Sequence, residues 1–467
     1  MNATSLKPNV LFVFSDQHRA VDMSCYGNTA LPTPNFDRLA AAGVRADCAV
    51  SNTPVCCPFR ASLMTGMYAF KIGMPSNYQP LDSKGPFVAE HFRQHGYRCG
   101  YVGKWHLHFP TGDIQQDRES GSFVPPGQRL GFDDFWAASN SGHNYHNWKY
   151  FRDTHEPIHS ARYQPDEQVD LALSFIETQA ATPDPWCLFL SWGPPHTPFD
   201  PLPAYRKAHQ DKALRANVPA GPASDFAREN QPGYHGLIAS LDNAFGRLMV
   251  GLEAAGQLDN TIVVYTSDHG EMLGSHGCRG NKRWPFNEAV RIPLIVRYPG
   301  VIPAGTTTNQ AVSVIDFFPT LCELAGLDIP AGLDGISAAP LFRNGRDERR
   351  EAFAYCPMHY AYVPWPGWRA VVNAQWTYAE TVDGPWVLFD NVRDPLQLHN
   401  LVHEASAAAT LQSLREVLRQ RMQTAGDSWE FRRDFGDYRN WNLLTSSHVS
   451  KRDFGVPIRH APATMLD

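Results

Sequence analysis

The segment NVLFVFSDQH, residues 9–18, gives the clearest indication of the fold, because it is a short, apolar run rich in strand-forming residues. The alternation of such runs with helical patterns predicts an α/β fold, in which a large, mainly parallel sheet is sandwiched by helices. The further runs are RCGYVGK near residue 98, PWCLFLSW near 185, NTIVVYTS near 260 and IPLIVRY near 292.

The segments between these runs differ in their periodicity. In HGLIASLDNAFGRLMVGLEAAG, residues 235–256, Leu and Phe side chains recur at three- and four-residue spacing, which predicts an amphipathic helix. The stretches 110–165 and 199–234 are rich in Pro, Gly, His and aromatic residues and have weak periodicity. We therefore expect long excursions from the sheet there, and such loops usually build the substrate pocket.

The pattern changes after about residue 365. WRAVVNAQWTYAE and PWVLFDNVRDP are typical of antiparallel strands, and a helix is predicted over about 405–425. We therefore divide the chain into a catalytic α/β domain, 1–365, and a smaller C-terminal α+β subdomain, 366–467, with an antiparallel sheet, a helix and an extended tail. The tail is expected to pack on its own subunit or on a neighbour in a homo-oligomer.

Bulk composition argues against several classes of partner. The chain has 467 residues and a formal net charge of -6, with both signs interspersed, so we expect neither nucleic acid nor a membrane surface as partner. Its nine cysteines form no CxxC pair, which is typical of reduced, buried thiols. No signal peptide and no stretch of membrane-spanning length is recognisable. These features predict a cytoplasmic protein.

Two predicted strands end in side chains that bind metals. FVFSDQH supplies Asp16, Gln17 and His18, and VVYTSDHGEMLGSHG supplies Asp268 and His269. Ligands of open α/β sheets bind beyond the carboxyl ends of the strands, so these groups can converge on one divalent cation. Taken alone, either Asp more commonly caps a loop or a helix.

Two further strand ends carry groups suited to anion binding or proton transfer. In GYVGKWHLHF these are Lys104 and His106, and in SWGPPHTPF the group is His196. A Lys at a strand end is ordinarily solvated, and a His between prolines is ordinarily structural. The shared placement of all four strand ends favours a common site.

The segment CCPFRASLMTG matches the CxPxR signature of the sulfatases, which are members of the alkaline phosphatase superfamily, and GKWHL resembles their second signature. The early DQ, the later SDHGEMLGSHG and the run NKRWPFNEAVRIPLIVRYPG follow in the family's order. The resemblance extends from Pro8 to about Asn400. It implies an alkaline-phosphatase-like fold and an arylsulfatase-like enzyme that hydrolyses small organic sulfate esters to an alcohol and inorganic sulfate.

The resemblance also implies a modified nucleophile. Cys56 corresponds to the residue that a maturation enzyme oxidises to formylglycine, whereas Cys57 fills a variable position. The hydrated aldehyde has two geminal hydroxyl groups, of which one attacks sulfur and the other allows the product to be expelled.

The metal ligands implied by the resemblance are Asp16, Gln17, Asp268 and His269, together with the modified Cys56. They would hold one divalent ion, calcium or manganese. This set differs from the Asp, Asp, Asp, Asn set of many sulfatases, and its imidazole favours manganese more than an all-oxygen site does. With two carboxylates the site is less negative, which leads to the hypothesis of side activity on phosphate esters or phosphonates.

The remaining catalytic roles are carried over in the same way. Arg60 would fix the hydrated aldehyde. Lys104 and Lys282 would bind the sulfuryl oxygens and offset developing charge. His196, which also contacts the substrate, would protonate the departing oxygen, and His106 would take the proton from the second hydroxyl as sulfate leaves.

Some of these assignments have competing interpretations. Lys282 lies beside Arg279 and Arg283, so a solvated basic face is an alternative for this cluster. Asn77 is a candidate contact to the sulfuryl group, although Asn in a polar loop is usually a turn former. Phe59 replaces the small residue that the family usually has before the arginine of the signature.

The substrate pocket is expected to be lined by aromatic and His-rich stretches. The best candidates are residues 140–159, NSGHNYHNWKYFRDTHEPIH, and residues 356–368, CPMHYAYVPWPGW. Aromatic side chains stack on phenyl and sugar rings alike, so these stretches do not distinguish an aryl sulfate from a sulfated saccharide.

Three rival functions remain open at this stage. A phosphonate monoester or phosphodiester hydrolase of the same superfamily is disfavoured by Lys104 and His106, because that branch lacks the GKWH signature. A noncatalytic binder of sulfated ligands is disfavoured because every expected catalytic position is filled. A thiol enzyme that uses Cys56 or Cys57 directly would be inactivated by alkylating agents, which a formylglycine enzyme would resist.

Overall fold

A computed structural model describes residues 7–77, 79, 81–109, 123–280, 282–345, 351–356 and 367–429. Strands are numbered in chain order: β1 (Asn9–Asp16), β2 (Val44–Ala46), β3 (Ala49–Val50), β4 (Arg98–Lys104), β5 (Phe135–Ser139), β6 (Trp148–Tyr150), β7 (Ile158–Ser160), β8 (Trp186–Pro195), β9 (Thr261–Ser267), β10 (Arg291–Ile292), β11 (Leu294–Arg297), β12 (Thr306–Thr308), β13 (Val312–Ser313), β14 (Ala352–Cys356), β15 (Trp368–Val372), β16 (Trp376–Thr381) and β17 (Gly384–Asp390).

Helices pack between and over these strands. The α-helices are Pro34–Ala41, Cys56–Thr65, Val88–Gln94, Gln164–Ala180, Pro203–Ala208, Pro222–Ala254, Asn287–Val290, Phe317–Leu324, Ala339–Asn344 and Ala408–Ala425. Short 3-10 turns lie at Ala20–Asp22, Ser24–Tyr26, Ala69–Ile72, Leu258–Asn260, Ser275–Gly277, Val314–Asp316 and Ala405–Ala407.

The central sheet has eight strands in the order β12-β2-β11-β9-β1-β8-β4-β5. The five consecutive strands β9, β1, β8, β4 and β5 are parallel to one another. On the other side of β9, β11 is antiparallel to both β9 and β2. The prediction of a large, mainly parallel sheet is therefore confirmed. Since parallel strands align their carboxyl ends along one edge, β9, β1, β8 and β4 present their last residues side by side.

The sheet is buried on both faces, as a parallel sheet between helices requires. Phe12 belongs to the core on one face, where its ring stacks on that of Phe189 with centroids 4.7 Å apart. Leu11 belongs to the core on the other face, together with Leu241 and Phe245 of the long helix Pro222–Ala254. Every residue of β1 is buried, which explains why its sequence is a continuous apolar run.

Two local predictions differ from the structure. The helix predicted over 235–256 begins much earlier, at Pro222, inside a stretch that we expected to be an irregular excursion. Pro232 in its interior and the polar residues around it conceal the periodicity there. The run IPLIVRY divides at Pro293, which cannot donate to a strand ladder, so β10 pairs with β3 while β11 joins the central sheet.

The C-terminal region forms a four-stranded antiparallel sheet, β14-β15-β16-β17, as predicted. Leu414 and Leu418 of the helix Ala408–Ala425 pack against it, in one core with Tyr378 and Leu388. Its first strand, β14, precedes residue 365, so the sheet takes in chain on both sides of the predicted boundary. The predicted arm lies almost wholly outside the described residues. Among the described residues, the helices are too short or too polar to cross a lipid bilayer.

Candidate active site

Four neighbouring strands bring the predicted site residues together at one edge of the sheet. Asp16 is the last residue of β1 and Lys104 the last of β4, while Asp268 directly follows β9 and His196 directly follows β8. Gly103 is required just before Lys104, because its φ is 110° and a Cβ there would lie 2.0 Å from the carbonyl oxygen of Ser191. The close approach of β4 to β8 thus fixes where Lys104 enters the site.

Cys56 enters the same site from a helix. It is the first residue of the helix Cys56–Thr65, all of which is buried, and the left-handed Gly66 ends that helix. Asn77 accepts a hydrogen bond from the backbone N–H of Cys57 at 2.9 Å, so its oxygen caps the helix start. The structure thus gives Asn77 a contact to the nucleophile-bearing turn, whereas its proposed contact to the sulfuryl group stays a prediction.

Four side chains of the kinds that bind metal ions, Cys56 among them, form one cluster. One donor atom each from Asp16, Cys56, Asp268 and His269 lies within 4.8 Å of the other three. His269 Nδ1 lies 2.9 Å from the carbonyl oxygen of Gly270; it donates to that oxygen, which leaves Nε2 with its lone pair toward the cluster. Two carboxylates and one oriented imidazole are a fitting donor set for one divalent cation.

Gln17 is held tightly beside this cluster. Its backbone is left-handed, with φ at 75°, and its N–H donates to Asp268 Oδ1 at 2.9 Å. Its side-chain nitrogen donates to Glu271, and its oxygen accepts from Lys282 at 3.1 Å. The amide is therefore shared between an acid and a base at the rim of the cluster, and its predicted role as a metal ligand stays a prediction.

Three cations surround the carboxylates and the thiol. Lys104 Nζ lies 2.5 Å from Asp16 Oδ2, and Lys282 Nζ lies 3.1 Å from Cys56 Sγ. Arg60 is fully buried, with its NH2 nitrogen 3.4 Å from an oxygen of Asp16 and 3.4 Å from one of Asp268. Of the basic cluster near residue 282, Lys282 is thus the member placed against the predicted nucleophile.

The electrostatics of the site follow from this arrangement. Burial alone would raise the pKa of Asp16, but the charges of Lys104, His196 and Lys282 hold that pKa well below its usual range. Burial would also raise the pKa of the Cys56 thiol, yet Lys104 and Lys282 bring it well below its ordinary value. Burial and the charge of Asp16 raise the pKa of Asp268 to about 6. Two carboxylates held this close favour a bound cation.

Two histidines flank Cys56. His106 has a left-handed backbone, with φ at 60°, and its side chain forms a hydrogen bond with Cys56. Burial first, and Lys104 second, lower the pKa of His106 to about 3, so it is a neutral acceptor at neutral pH. His196 also reaches Cys56 through its side chain, and its Nδ1 lies 2.8 Å from the carbonyl oxygen of Thr197.

Sequence reasoning missed four residues that contact this constellation. Ser191 accepts a hydrogen bond from Arg60 at 2.7 Å, and Glu271 accepts one from Gln17. His143 and Tyr145 lie within the predicted pocket stretch 140–159, but no role was assigned to them individually. The other pocket stretch, 356–368, lies mostly outside the described residues.

Comparisons with known proteins agree with this geometry. A family model described as Sulfatase matches residues 8–327, and a second, described as N-sulphoglucosamine sulphohydrolase, C-terminal, matches residues 274–424. The Ulvan-active sulfatase of Formosa agariphila is 34% identical over 434 residues, which cover 91% of this chain and 83% of that protein.

Solved structures are similar over nearly the whole chain. The yidJ protein of Bacteroides fragilis, which is assigned to the sulfatases, superposes with a TM-score of 0.83 at 26% identity and covers 92% of this chain and 98% of its own. The phosphonate monoester hydrolase of Agrobacterium radiobacter has a TM-score of 0.72 at 24% identity, with coverage of 89% and 96%, and is similar in fold.

Proposed function

The chain belongs to the sulfatase family and is a sulfuric ester hydrolase, and from this premise we propose that residue 56, oxidised to formylglycine by a maturation enzyme, is its nucleophile. One observation carries the proposal. The Cys56 side chain lies among the possible metal ligands Asp16, Asp268 and His269, with two lysines and two further histidines beside it. Hydrolysis of a sulfate monoester needs a nucleophile, charge stabilisation and two proton transfers, and each has a residue here.

The donor set around residue 56 fits one divalent ion, calcium or manganese, held by Asp16, Asp268 and His269 with residue 56 itself. When bound, such an ion would supply Lewis acidity and lower the pKa of a hydroxyl on residue 56. Arg60 lies against both carboxylates and donates to the carbonyl oxygen of Lys104 at 2.6 Å. It therefore holds the two carboxylates in place relative to the end of β4.

The two lysines support binding of the sulfuryl group. Lys104 lies at the end of β4 and contacts Asp16, whereas Lys282 lies in a loop and contacts Cys56. A sulfuryl group bound at residue 56 would have its oxygens next to both ammonium groups. Ammonium groups in a buried site stabilise developing negative charge far better than they do in water. Both lysines thus act on the sulfuryl oxygens, while Arg60 stays with the carboxylates.

The two histidines divide the proton transfers. His196 donates from Nδ1 to the Thr197 carbonyl oxygen, so in the protonated ring Nε2 carries the proton that is given to the departing oxygen of the ester, which leaves His196 neutral. His106 is neutral and bonded to residue 56, which suits it to accept the proton of the second hydroxyl as sulfate is released. Its buried position keeps it neutral across the physiological pH range.

The test compares turnover with the state of residue 56. We expect the purified enzyme, produced with a maturation enzyme and supplied with calcium or manganese, to hydrolyse a chromogenic aryl sulfate. Cys56→Ala should abolish turnover, whereas Cys57→Ala, a change of the adjacent and equally buried thiol, should leave it nearly unchanged. Pretreatment with an alkylating agent should not inactivate the wild type. Inactivation by that agent would instead favour direct thiol catalysis.

A second activity, hydrolysis of phosphate or phosphonate monoesters, is favoured by the charge of the site. Two carboxylates face three cations, Lys104, Lys282 and Arg60, so a dianionic ester meets less repulsion than in a site with more carboxylates. Matched aryl sulfate, phosphate and phosphonate esters measure it directly. Absence of phosphatase and phosphonatase turnover in an active preparation would remove this second candidate.

A further inference from the structure

The segment NSGHNYH, residues 140–146, touches the site but has no part in the chemistry described above. The His143 ring lies flat on the ring of His196, with centroids 3.9 Å apart and planes inclined by 9°. On another side, His143 Nε2 lies 3.3 Å from Lys104 Nζ. One side chain therefore contacts both the proposed proton donor to the leaving group and a proposed ligand of the sulfuryl oxygens.

The contact with Lys104 defines the state of the His143 ring. An ammonium group has only donors, so Nε2 of His143 must accept, and the proton of the neutral imidazole then lies on Nδ1. Burial, followed by the charges of His196 and Lys104, lowers the pKa of His143, which agrees with a neutral ring. His143 thus directs one of the three Lys104 donors, while Asp16 takes another at 2.5 Å.

The same segment also fastens the backbone that carries His196. The Tyr145 hydroxyl donates to the carbonyl oxygen of His196 at 2.6 Å and lies 3.3 Å from that of Gly193. His196 follows β8 and is only partly buried, so the strand alone does not restrain its ring. Ring stacking from His143 and the tyrosine bond therefore add to the Nδ1 bond to Thr197 in orienting the imidazole.

We propose that His143 is a positioning residue that acts on two steps of the reaction, by orienting Lys104 through its Nε2 acceptor and His196 through ring stacking. This inference rests on the proposed function, because it assigns work to two residues of that mechanism. A misplacement of about 1 Å at a catalytic group can reduce the rate by roughly 10²-fold, so the contribution is measurable.

The two contacts separate with substrates that differ in their leaving group. An aryl sulfate has a good leaving group and needs little help from a proton donor, whereas an alkyl sulfate has a poor one and depends on His196. Both substrates depend equally on Lys104. Loss of the stacking contact therefore penalises the alkyl sulfate selectively, and loss of the acceptor penalises both alike.

The experiment measures kcat and KM on a matched aryl and alkyl sulfate for three variants with residue 56 verified as formylglycine. His143→Phe keeps a flat ring but removes the acceptor, and we expect a similar loss of about tenfold on both substrates. His143→Ala also removes the stack, and we expect a loss of roughly 10²-fold or more on the alkyl sulfate and a much smaller one on the aryl sulfate. His399→Ala, which changes an exposed histidine of the C-terminal region, serves as the control.

Equal losses on both substrates for His143→Ala, or losses no larger than those of His399→Ala, would overturn the inference. If His143→Ala unfolds, His143→Phe still tests whether Nε2 of His143 orients Lys104. A loss of activity confined to the alkyl sulfate in His143→Phe would contradict that role. Failure of the wild type to hydrolyse either ester would overturn the proposed function itself, which is a different result from unaffected variants of an active enzyme.

Discussion

Among the fully buried arginines of the described residues, Arg369 and Arg60 are used in opposite ways. Arg369, in the C-terminal sheet, forms a two-pronged ion pair with Asp427 that includes a contact of 3.0 Å, and its guanidinium lies 4.5 Å from the ring centre of Trp429. Arg60, in the site, makes its short bonds to neutral oxygens and stays 3.4 Å from the carboxylates of Asp16 and Asp268.

The difference shows how a site keeps carboxylates available. The close pair of Arg369 and Asp427 satisfies both charges, so nothing further is needed there. Arg60 is anchored instead by Lys104 O at 2.6 Å and Ser191 Oγ at 2.7 Å, which leaves carboxylate lone pairs to face the cluster. The Arg369–Asp427 pair uses its charges on each other, whereas the carboxylates beside Arg60 can still bind another cation.

The largest effect is expected when Arg60 is replaced. Arg60→Met leaves two buried carboxylates without their guanidinium, and removal of one partner from a buried ion pair costs about 3–5 kcal/mol. If this cost falls on the transition state, kcat/KM falls by roughly 10²- to 10³-fold or more. The measurement is kcat/KM on an aryl sulfate divided by the formylglycine content of residue 56, because Arg60 also belongs to the CxPxR signature. Activity near that of the wild type would contradict the account.

A comparable free-energy cost without a catalytic effect is expected at the other arginine. Arg369→Met should lower the free energy of unfolding by about 3–5 kcal/mol, because Asp427 is left buried and charged. The double variant Arg369→Met with Asp427→Leu should recover most of this loss. Denaturant unfolding measures stability, and kcat/KM of the folded enzyme should stay unchanged. A large loss of kcat/KM in the folded variant would show that the C-terminal ion pair supports the site.

Binding of calcium or manganese should stabilise the site and leave the Arg369–Asp427 ion pair unaffected. Calcium or manganese at about 100 times its Kd adds roughly 2.7 kcal/mol to the free energy of unfolding when it binds only the folded state. We expect this gain in the wild type and in Arg369→Met, and a loss of it together with activity after chelation. Asp268→Ala removes a proposed ligand and should abolish the gain. An equal gain in that variant would place the cation elsewhere.

The smallest expected effect concerns a buried acid with mixed partners. Glu288 accepts from Asn217 at 2.7 Å and lies 3.4 Å from Arg215 and 3.5 Å from His276. Burial would raise the pKa of Glu288, but the hydrogen bond and charge of His276, with Arg215, hold it well below its ordinary value of 4.5. Because the folded pKa is the lower one, this stabilisation is present above about pH 4.5 and is lost as the pH falls through the folded value.

Glu288→Gln should therefore lower the free energy of unfolding by about 1–3 kcal/mol at pH 7. The difference from the wild type should shrink as the pH is lowered below 4.5, the ordinary value for this residue. Unfolding midpoints across the pH range test this. A difference that stays constant down to the lowest pH would mean that the charge of Glu288 contributes nothing.

The sequence allowed the sheet and the strand-end residues to be predicted because both follow from local periodicity. β1 and β9 are buried on both faces, so their apolar runs are continuous and their ends are easily seen. Once the strands are parallel, Asp16 and Asp268 must lie at the same edge. The signature around Cys56 then adds the nucleophile, and its placement by a buried helix at that edge agrees with the family pattern.

The parts that escaped prediction depend on long-range packing. His143 reaches Lys104 and His196 from the loop that follows β5, and its spacing in the sequence does not reveal these contacts. Asn77 caps a helix by accepting from the backbone N–H of Cys57, twenty positions earlier in the chain, a pairing with no local signal. The upstream half of the helix Pro222–Ala254 is defined by tertiary contacts, such as Tyr234 against Phe199 at 5.4 Å between ring centres.

The most direct test of the central claim is the mass of the peptide that contains residue 56, measured without prior reduction and alkylation on a sample whose turnover of an aryl sulfate is also known. We expect the aldehyde at position 56 and turnover that rises in proportion to the aldehyde content across preparations. Full turnover by a sample with an intact thiol at position 56 would contradict it.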